Sequence, residues 1–211
     1  MSLWRTSRLY VLPFLCFFSF ILHAEEDSNW CNTANTDYVL EWDVTNSKDL
    51  LERTLLVKNK SSGNTFATLN GEASPTPEIS QSFYLDDYNF DGCQDISWVS
   101  GMNARGDVTY TVFLYSQPTR KFIYSDDLSA ISNLKISQQP NCLSESEANT
   151  YEDFYGGTSS TYCWIKGKLV ETERSELSLD SEHKCAKFQQ FRLNNDGFLS
   201  LTGESCERFV P

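Results

Sequence analysis

The chain has 211 residues and sets 17 Lys and Arg against 29 Asp and Glu, a net charge of −12 with both histidines neutral. So acidic a surface repels nucleic acid and anionic membrane, and draws cations and basic proteins. The length suits one domain behind a leader, and 14% aromatic residues can fill a sizeable core.

Residues 1–24 read as a secretory signal peptide. Arg5 and Arg8 precede an apolar stretch from Leu9 to Leu22, shorter than the ~20 residues of a membrane span, and Ala24 stands at the expected cut. Cys16 follows Leu15 inside that apolar core, so it is read as discarded with the signal rather than acylated. An uncleaved anchor is the competing reading. The signal removes two of the 17 basic residues and none of the 29 acidic ones, leaving 15 basic side chains against 29 acidic. The product is expected to be periplasmic or secreted, with no membrane contact after cleavage.

Residues 25–211 are expected to form one all-β secreted domain, an antiparallel hairpin meander arranged as a sandwich or small propeller-like array with disulfides. Helical periodicity is weak, and short alternating runs dominate. In the N-terminal part, 25–78, DYVLEWDV, RTLLVKN and NTFATLN read as strands, while SKDLLERTLL also tolerates a helix. Asn59-Lys60-Ser61 is a glycosylation match only in a glycosylating host. EASPTPE, residues 72–78, is a short Pro-containing connector.

Next comes LDDYNFDGCQDIS, residues 85–97. Counted from Asp87 it reads D-x-N-x-D-G-x-x-D, with Asp87, Asn89, Asp91 and Asp95 at positions one, three, five and nine. Calcium favours such hard oxygen ligands in a flexible shell, and the Cys93 carbonyl at position seven offers a further oxygen. Gly92 permits the sharp turn at position six. Position twelve, the bidentate Glu of an EF-hand, is Trp98, so Asp95 has to supply that function. The flanks QSFYL and ISWV read as strands rather than EF-hand helices. An Asp-Gly turn with solvated acids is the plain alternative.

Further strands are read in VTYTVFLYS, RKFIYS, STYCWIKG, KLVETERS, KFQQFRLN and FLSLTG. Hairpins are expected at Gln117-Pro118-Thr119-Arg120 and at Lys166-Gly167. The ESEAN stretch near Glu145 is read as a helical turn at most. The C-terminal hairpin, 184–206, turns at Asn194-Asn195-Asp196-Gly197. If Leu193 faces Phe198 across that loop, Cys185 faces Cys206, and Lys187 faces Glu204 as a favourable pair.

Of seven cysteines, Cys16 leaves with the signal, and an even six remain for up to three disulfides in an oxidising compartment. Cys185–Cys206 is the pair argued from register. Cys93 is expected to staple the acidic loop to another segment. No C-x-x-C occurs, which argues against a zinc ribbon or a thioredoxin-like motif. Beyond the signal only His183 remains to serve a catalytic triad, and neither G-x-S-x-G nor H-E-x-x-H is present. The chain is therefore expected not to be an enzyme.

Taken in order, FYLDDYNFDGCQDI, YTVFLY, PTRKFIYSDDLSAISNL and YCWIKGKLVE resemble an exported bacterial family with an FG-GAP-like calcium loop, over residues 81–172. That family includes periplasmic immunity proteins that neutralise peptidoglycan hydrolases and are similar to lysozyme inhibitors. The resemblance implies a structural calcium ion and a basic peptidoglycan hydrolase or effector as protein partner, its cleft occluded. Lysozyme inhibitors carry an S-G-x-x-Y-type contact loop. Its nearest counterpart is YGGTSSTY, which nominates Tyr155, Gly156, Gly157, Thr158, Ser159 and Tyr162. An ordinary Gly-rich connector is the other reading of that segment. SGMN at 100–103 starts correctly but lacks the Tyr. The other function class weighed is a calcium-dependent surface adhesion or glycan-binding module.

Overall fold

The computed structural model describes residues 30–43, 52–74, 82–151 and 154–208. The signal peptide, most of the 72–78 connector and residues 47–51 of SKDLLERTLL lie outside them. The chain opens with helix α1 (Trp30–Asp37), then β1 (Tyr38–Trp42), β2 (Glu52–Asn59) and β3 (Thr65–Glu72). It continues with β4 (Phe83–Asp86), β5 (Asp95–Met102), β6 (Val108–Ser116) and β7 (Lys121–Tyr124). A one-turn helix at Asp126–Ser129 leads to β8 (Lys135–Ile136), β9 (Cys142–Tyr151), β10 (Phe154–Ile165), β11 (Lys168–Asp180), β12 (Cys185–Leu193) and β13 (Leu199–Arg208).

These strands form three antiparallel sheets, β1-β2-β3, β4-β5-β6-β7 and β8 through β13, each with neighbours in chain order. The all-β hairpin meander is thus observed. Short turns explain it, since a two- to four-residue connection returns a strand only beside the one it left. Gln117–Arg120 joins Ser116 to Lys121, and Lys166-Gly167 joins Ile165 to Lys168, as the turn residues imply.

The four-stranded sheet lies between the other two. On one face Ile96, Trp98, Phe113 and Tyr115 pack against Leu55, Val57 and Leu69 of the three-stranded sheet, with Trp30 and Tyr38. On the other, Val112 meets Leu128, Ile131 and Leu134 together with Leu143, Tyr162, Trp164 and Leu169 of the six-stranded sheet. Alternation along β5 and β6 makes this possible, because odd and even residues point to opposite cores. Coverage of both faces explains why DISWV is fully buried. Burying a side chain such as Trp98 contributes roughly 3 kcal/mol, and its Nε1 donates to the Glu72 carbonyl at 2.7 Å. The indole at position twelve is therefore a core group.

Several readings are corrected here. The N-terminal part begins with a helix before its strands, and Cys31 on that helix is disulfide-bonded to Cys93. Residues 52–56 are strand, which agrees with the strand reading of RTLLVKN and sets aside the helix that SKDLLERTLL also tolerates. ESEAN lies inside β9, because its alternation places Leu143, Glu145 and Glu147 on one face and Ser144, Ser146 and Ala148 on the other. Asn59 Oδ1 accepts from the Ser61 and Ser62 amides and so caps the β2–β3 turn.

The Cys185–Cys206 disulfide is present, but the register argued for it is not. Leu193 faces Leu199 across a loop one residue longer than expected, and a bulge beyond Phe191 adds a second shift. Cys206 therefore lies opposite Lys187, and Cys185 opposite Arg208. The cysteines bridge diagonally, and Lys187 reaches Glu204 diagonally at 3.2 Å. The third disulfide, Cys142–Cys163, joins directly paired residues of β9 and β10.

Candidate functional site

The acidic loop bridges β4 and β5. Its two ends are fixed, by the Asp86–Asp95 pair and by Cys93 bonded to Cys31 of α1. Trp30 Nε1 adds a hydrogen bond to the Gln94 carbonyl at 2.5 Å. Closing the loop between those cysteines, 62 positions apart, removes about 4 kcal/mol of unfolded-chain entropy.

Within the loop the acids hold the main chain. Asp87 accepts from the amides of Asp91 at 3.1 Å and Gly92 at 2.9 Å, and Asp91 accepts from the Cys93 amide at 2.8 Å. Asn89 Oδ1 accepts from the Asp91 amide and its Nδ2 donates to Asp91 Oδ2, both at 3.1 Å. The turn needs left-handed backbone at Phe90 (φ 58°) and Gly92 (φ 87°). Glycine tolerates this freely, whereas Phe90 is held there by its ring, which packs against the second core.

Asp95 differs from the other three. It is fully buried, and its two oxygens accept the Tyr88 and Tyr115 amides, each at 2.8 Å. Burial pushes its carboxyl up to about 7 against the pull of those amides, and the charges of Asp91 and Asp87 push the same way. Among the described residues, no three Asp, Glu, His or Cys side chains gather as a metal cluster. The donors the loop does offer are the Asp87 and Asp91 carboxylates, the Asn89 amide oxygen and the Cys93 carbonyl. The ion pairs of the described residues do not reach these acids. Hard oxygens already oriented by main-chain bonds, with spare lone pairs, suit a hard cation. Asp95 fits less well as a bidentate ligand, because it is fully buried and burial favours its neutral form.

The segment nominated as a contact loop is not a loop. Gly156 through Tyr162 lie within β10, paired with β9 throughout and with β11 from Gly157 on, and the Tyr155 main chain pairs with Thr150. The glycine at 157 has a packing reason, since a Cβ there would collide with the Glu147 carbonyl oxygen. Directly paired residues share a face, so Thr158 and Tyr162 cannot share one with Gly157 and Ser159. Tyr162 turns inward and donates to Glu145 Oε2 at 2.7 Å. The six nominated residues therefore do not form one contact surface.

The register reveals another surface that sequence reasoning missed. Glu147, Thr158, Glu176, Gln189 and Glu204 form one cross-strand row over five strands, on the face that carries Leu143 and Tyr162 into the second core. The adjacent row is Glu145, Ser160, Arg174, Phe191 and Leu201. Among the described residues Leu169 of β11 is the last on this face to join the second core, and in β11, β12 and β13 Cys185 alone is buried, which leaves the outer end of the face open. Arg174 is bidentate on Glu171, at 2.7 and 2.6 Å. Burial would raise Glu171, yet Arg174 and Ser160 hold it below the ordinary range. Burial lifts Glu145 instead. His183 is far from this chemistry, exposed in the β11–β12 turn and bonded to Asp180 at 2.9 Å.

No family model and no curated protein matches the chain. Its fold is similar to the solved structure of a Xanthomonas protein described as type IV secretion system related, with a TM-score of 0.52. The identity is 16%, and the match covers 78% of this chain and 85% of that one.

Proposed function

We propose that this chain is an exported, non-catalytic protein that binds and blocks a basic peptidoglycan hydrolase, with one calcium ion stiffening the Asp87–Asp95 loop. The observation that carries the reading is the open outer end of the sheet face, where Glu176 and Glu204, in the row that begins at Glu147 of β9, stand beside Phe191 and Leu201. A basic enzyme would be steered by the field and then meet an apolar strip bordered by charge, the usual anatomy of a protein interface. Contact through a flat sheet face replaces the loop entry that the sequence implied.

Three other features support it. Three disulfides are the habit of chains folded in an oxidising compartment, which supports the periplasm or the cell exterior as the setting. They also hold the surface rigid, which lowers the entropy lost on association. The structural similarity to a secretion-system-related protein agrees with an exported role. Calcium would be held by Asp87, Asn89, Asp91 and the Cys93 carbonyl, with Asp95 behind them. Its chemistry here is charge neutralisation of a tight acidic turn.

The test is complex formation. The chain and basic wall hydrolases are mixed and run through size exclusion, and a one-to-one complex with one hydrolase class is expected. The Glu176→Lys, Glu204→Lys double variant should lose that complex while keeping its melting temperature. A double variant that binds as tightly as the parent removes the sheet face from the account.

A further inference from the structure

A cleft of about 320 Å³ lies between β4 and β6 on one side and β8 on the other. It borders the acidic loop through Tyr88 and lies apart from the open outer end of the sheet face. Tyr84 and Tyr110 form one wall, ring edge to ring face with centroids 6.2 Å apart, and Tyr84 is 43% exposed. Ile136 stands in the other wall, 42% exposed. Tyr88 also lines the cleft, its hydroxyl already bonded to Ser97 Oγ at 2.8 Å, so it contributes mainly ring surface. Asp86 and Lys135 are the two charged lining residues, both exposed. Alternation along β4 puts Tyr84 and Asp86 on one face.

We infer that this cleft is a binding site for a neutral sugar unit of an oligosaccharide. The lining carries one anion and one cation, in a chain whose net charge is −12. A basic side chain would meet Lys135, and an acidic one Asp86, so the cleft favours neither charge. A pyranose ring answers each feature. Its C–H face stacks on tyrosine, and its hydroxyls donate to a carboxylate and accept from an ammonium group. The volume falls at the lower end of small-ligand pockets, about one or two sugar rings. The site needs no hydrolase, so it stands or falls apart from the inhibitor reading.

The full exported chain, in calcium, would be titrated with triacetylchitotriose, cellotriose and maltotriose and followed by intrinsic fluorescence and NMR shifts. Saturable binding of at least one sugar is expected. Tyr84→Ala should weaken it about tenfold or more. Lys135→Met, placed on the opposite sheet and away from the acidic loop, should weaken it as well, with both variants melting like the parent. No saturation by any of the three at millimolar concentration overturns the assignment, as does binding that survives both substitutions. Preferential saturation by triarginine would give the cleft to a protein side chain instead. Hydrolase protection that persists in Tyr84→Ala would show the two activities to be separate.

Discussion

Asp95 and Asp107 are both withdrawn from solvent, yet their surroundings treat them oppositely. Asp95 meets two main-chain amides and neighbouring carboxylates, and burial lifts it. Asp107 accepts from Asn103 Nδ2 at 2.8 Å and Asn133 Nδ2 at 2.9 Å, and those hydrogen bonds, Asn103 first, hold it below the ordinary range. It ties the β5–β6 turn to Asn133, which in turn donates to the Ser146 carbonyl of β9. A carboxyl depressed in the folded state contributes stability that is present above its unfolded value of about 3.9 and is lost as pH falls through the folded one. Asp107→Asn should therefore flatten the acid limb of a stability–pH profile below about pH 4, and cost about 1–2 kcal/mol at pH 7 through weaker hydrogen bonds. Urea titrations across that range measure both, and an unchanged acid limb would contradict the role. In the loop, calcium should raise the melting temperature, and Asp91→Ala should abolish the rise. Equal melting in calcium and in chelator for the parent would remove the ion from the account.

Among the elements, the junction of β3 with the middle sheet is close-packed around Gly71. The Glu72 carbonyl accepts from both Trp98 Nε1 and Thr111 Oγ1, at 2.7 and 2.8 Å. A Cβ at Gly71 would approach the Thr111 methyl at 2.6 Å and the Trp98 ring at 3.1 Å. Gly71→Val should destabilise the protein by about 1–3 kcal/mol through overpacking, read as an earlier urea midpoint with a red-shifted tryptophan spectrum. A midpoint equal to the parent's would mean the strand end yields. Strands with alternating or continuous apolar runs, such as VTYTVFLYS and DISWV, were legible in the sequence because a half-buried or buried strand requires them. LSESEANTY was not, because its alternation is Ser against Glu and carries no hydrophobic contrast until its neighbours are known. YGGTSST misled for a similar reason, its small residues serving close strand approach rather than a turn. The last hairpin shows the limit of register arithmetic. Cys185 and Cys206 pair as expected, while a longer loop and one bulge shift every side chain between them.

At the scale of the whole molecule, two packed cores end where the six-stranded sheet continues outward, and that extension carries the acidic rows. Such a field acts mainly on encounter rate, so association with a basic partner should slow several-fold between low and physiological salt, while dissociation changes little. Stopped-flow association at two salt concentrations reads this, and a salt-independent rate would argue for a purely apolar contact. Inhibition itself is tested most directly by turbidity clearing of cell-wall suspensions by a panel of lysozymes and a chitinase-like muramidase, with the mature chain added in calcium or in chelator. The account predicts protection against one hydrolase class, complete at one inhibitor per enzyme and weaker in chelator. Undiminished clearing by every enzyme of the panel, with the chain in excess and calcium present, would contradict it.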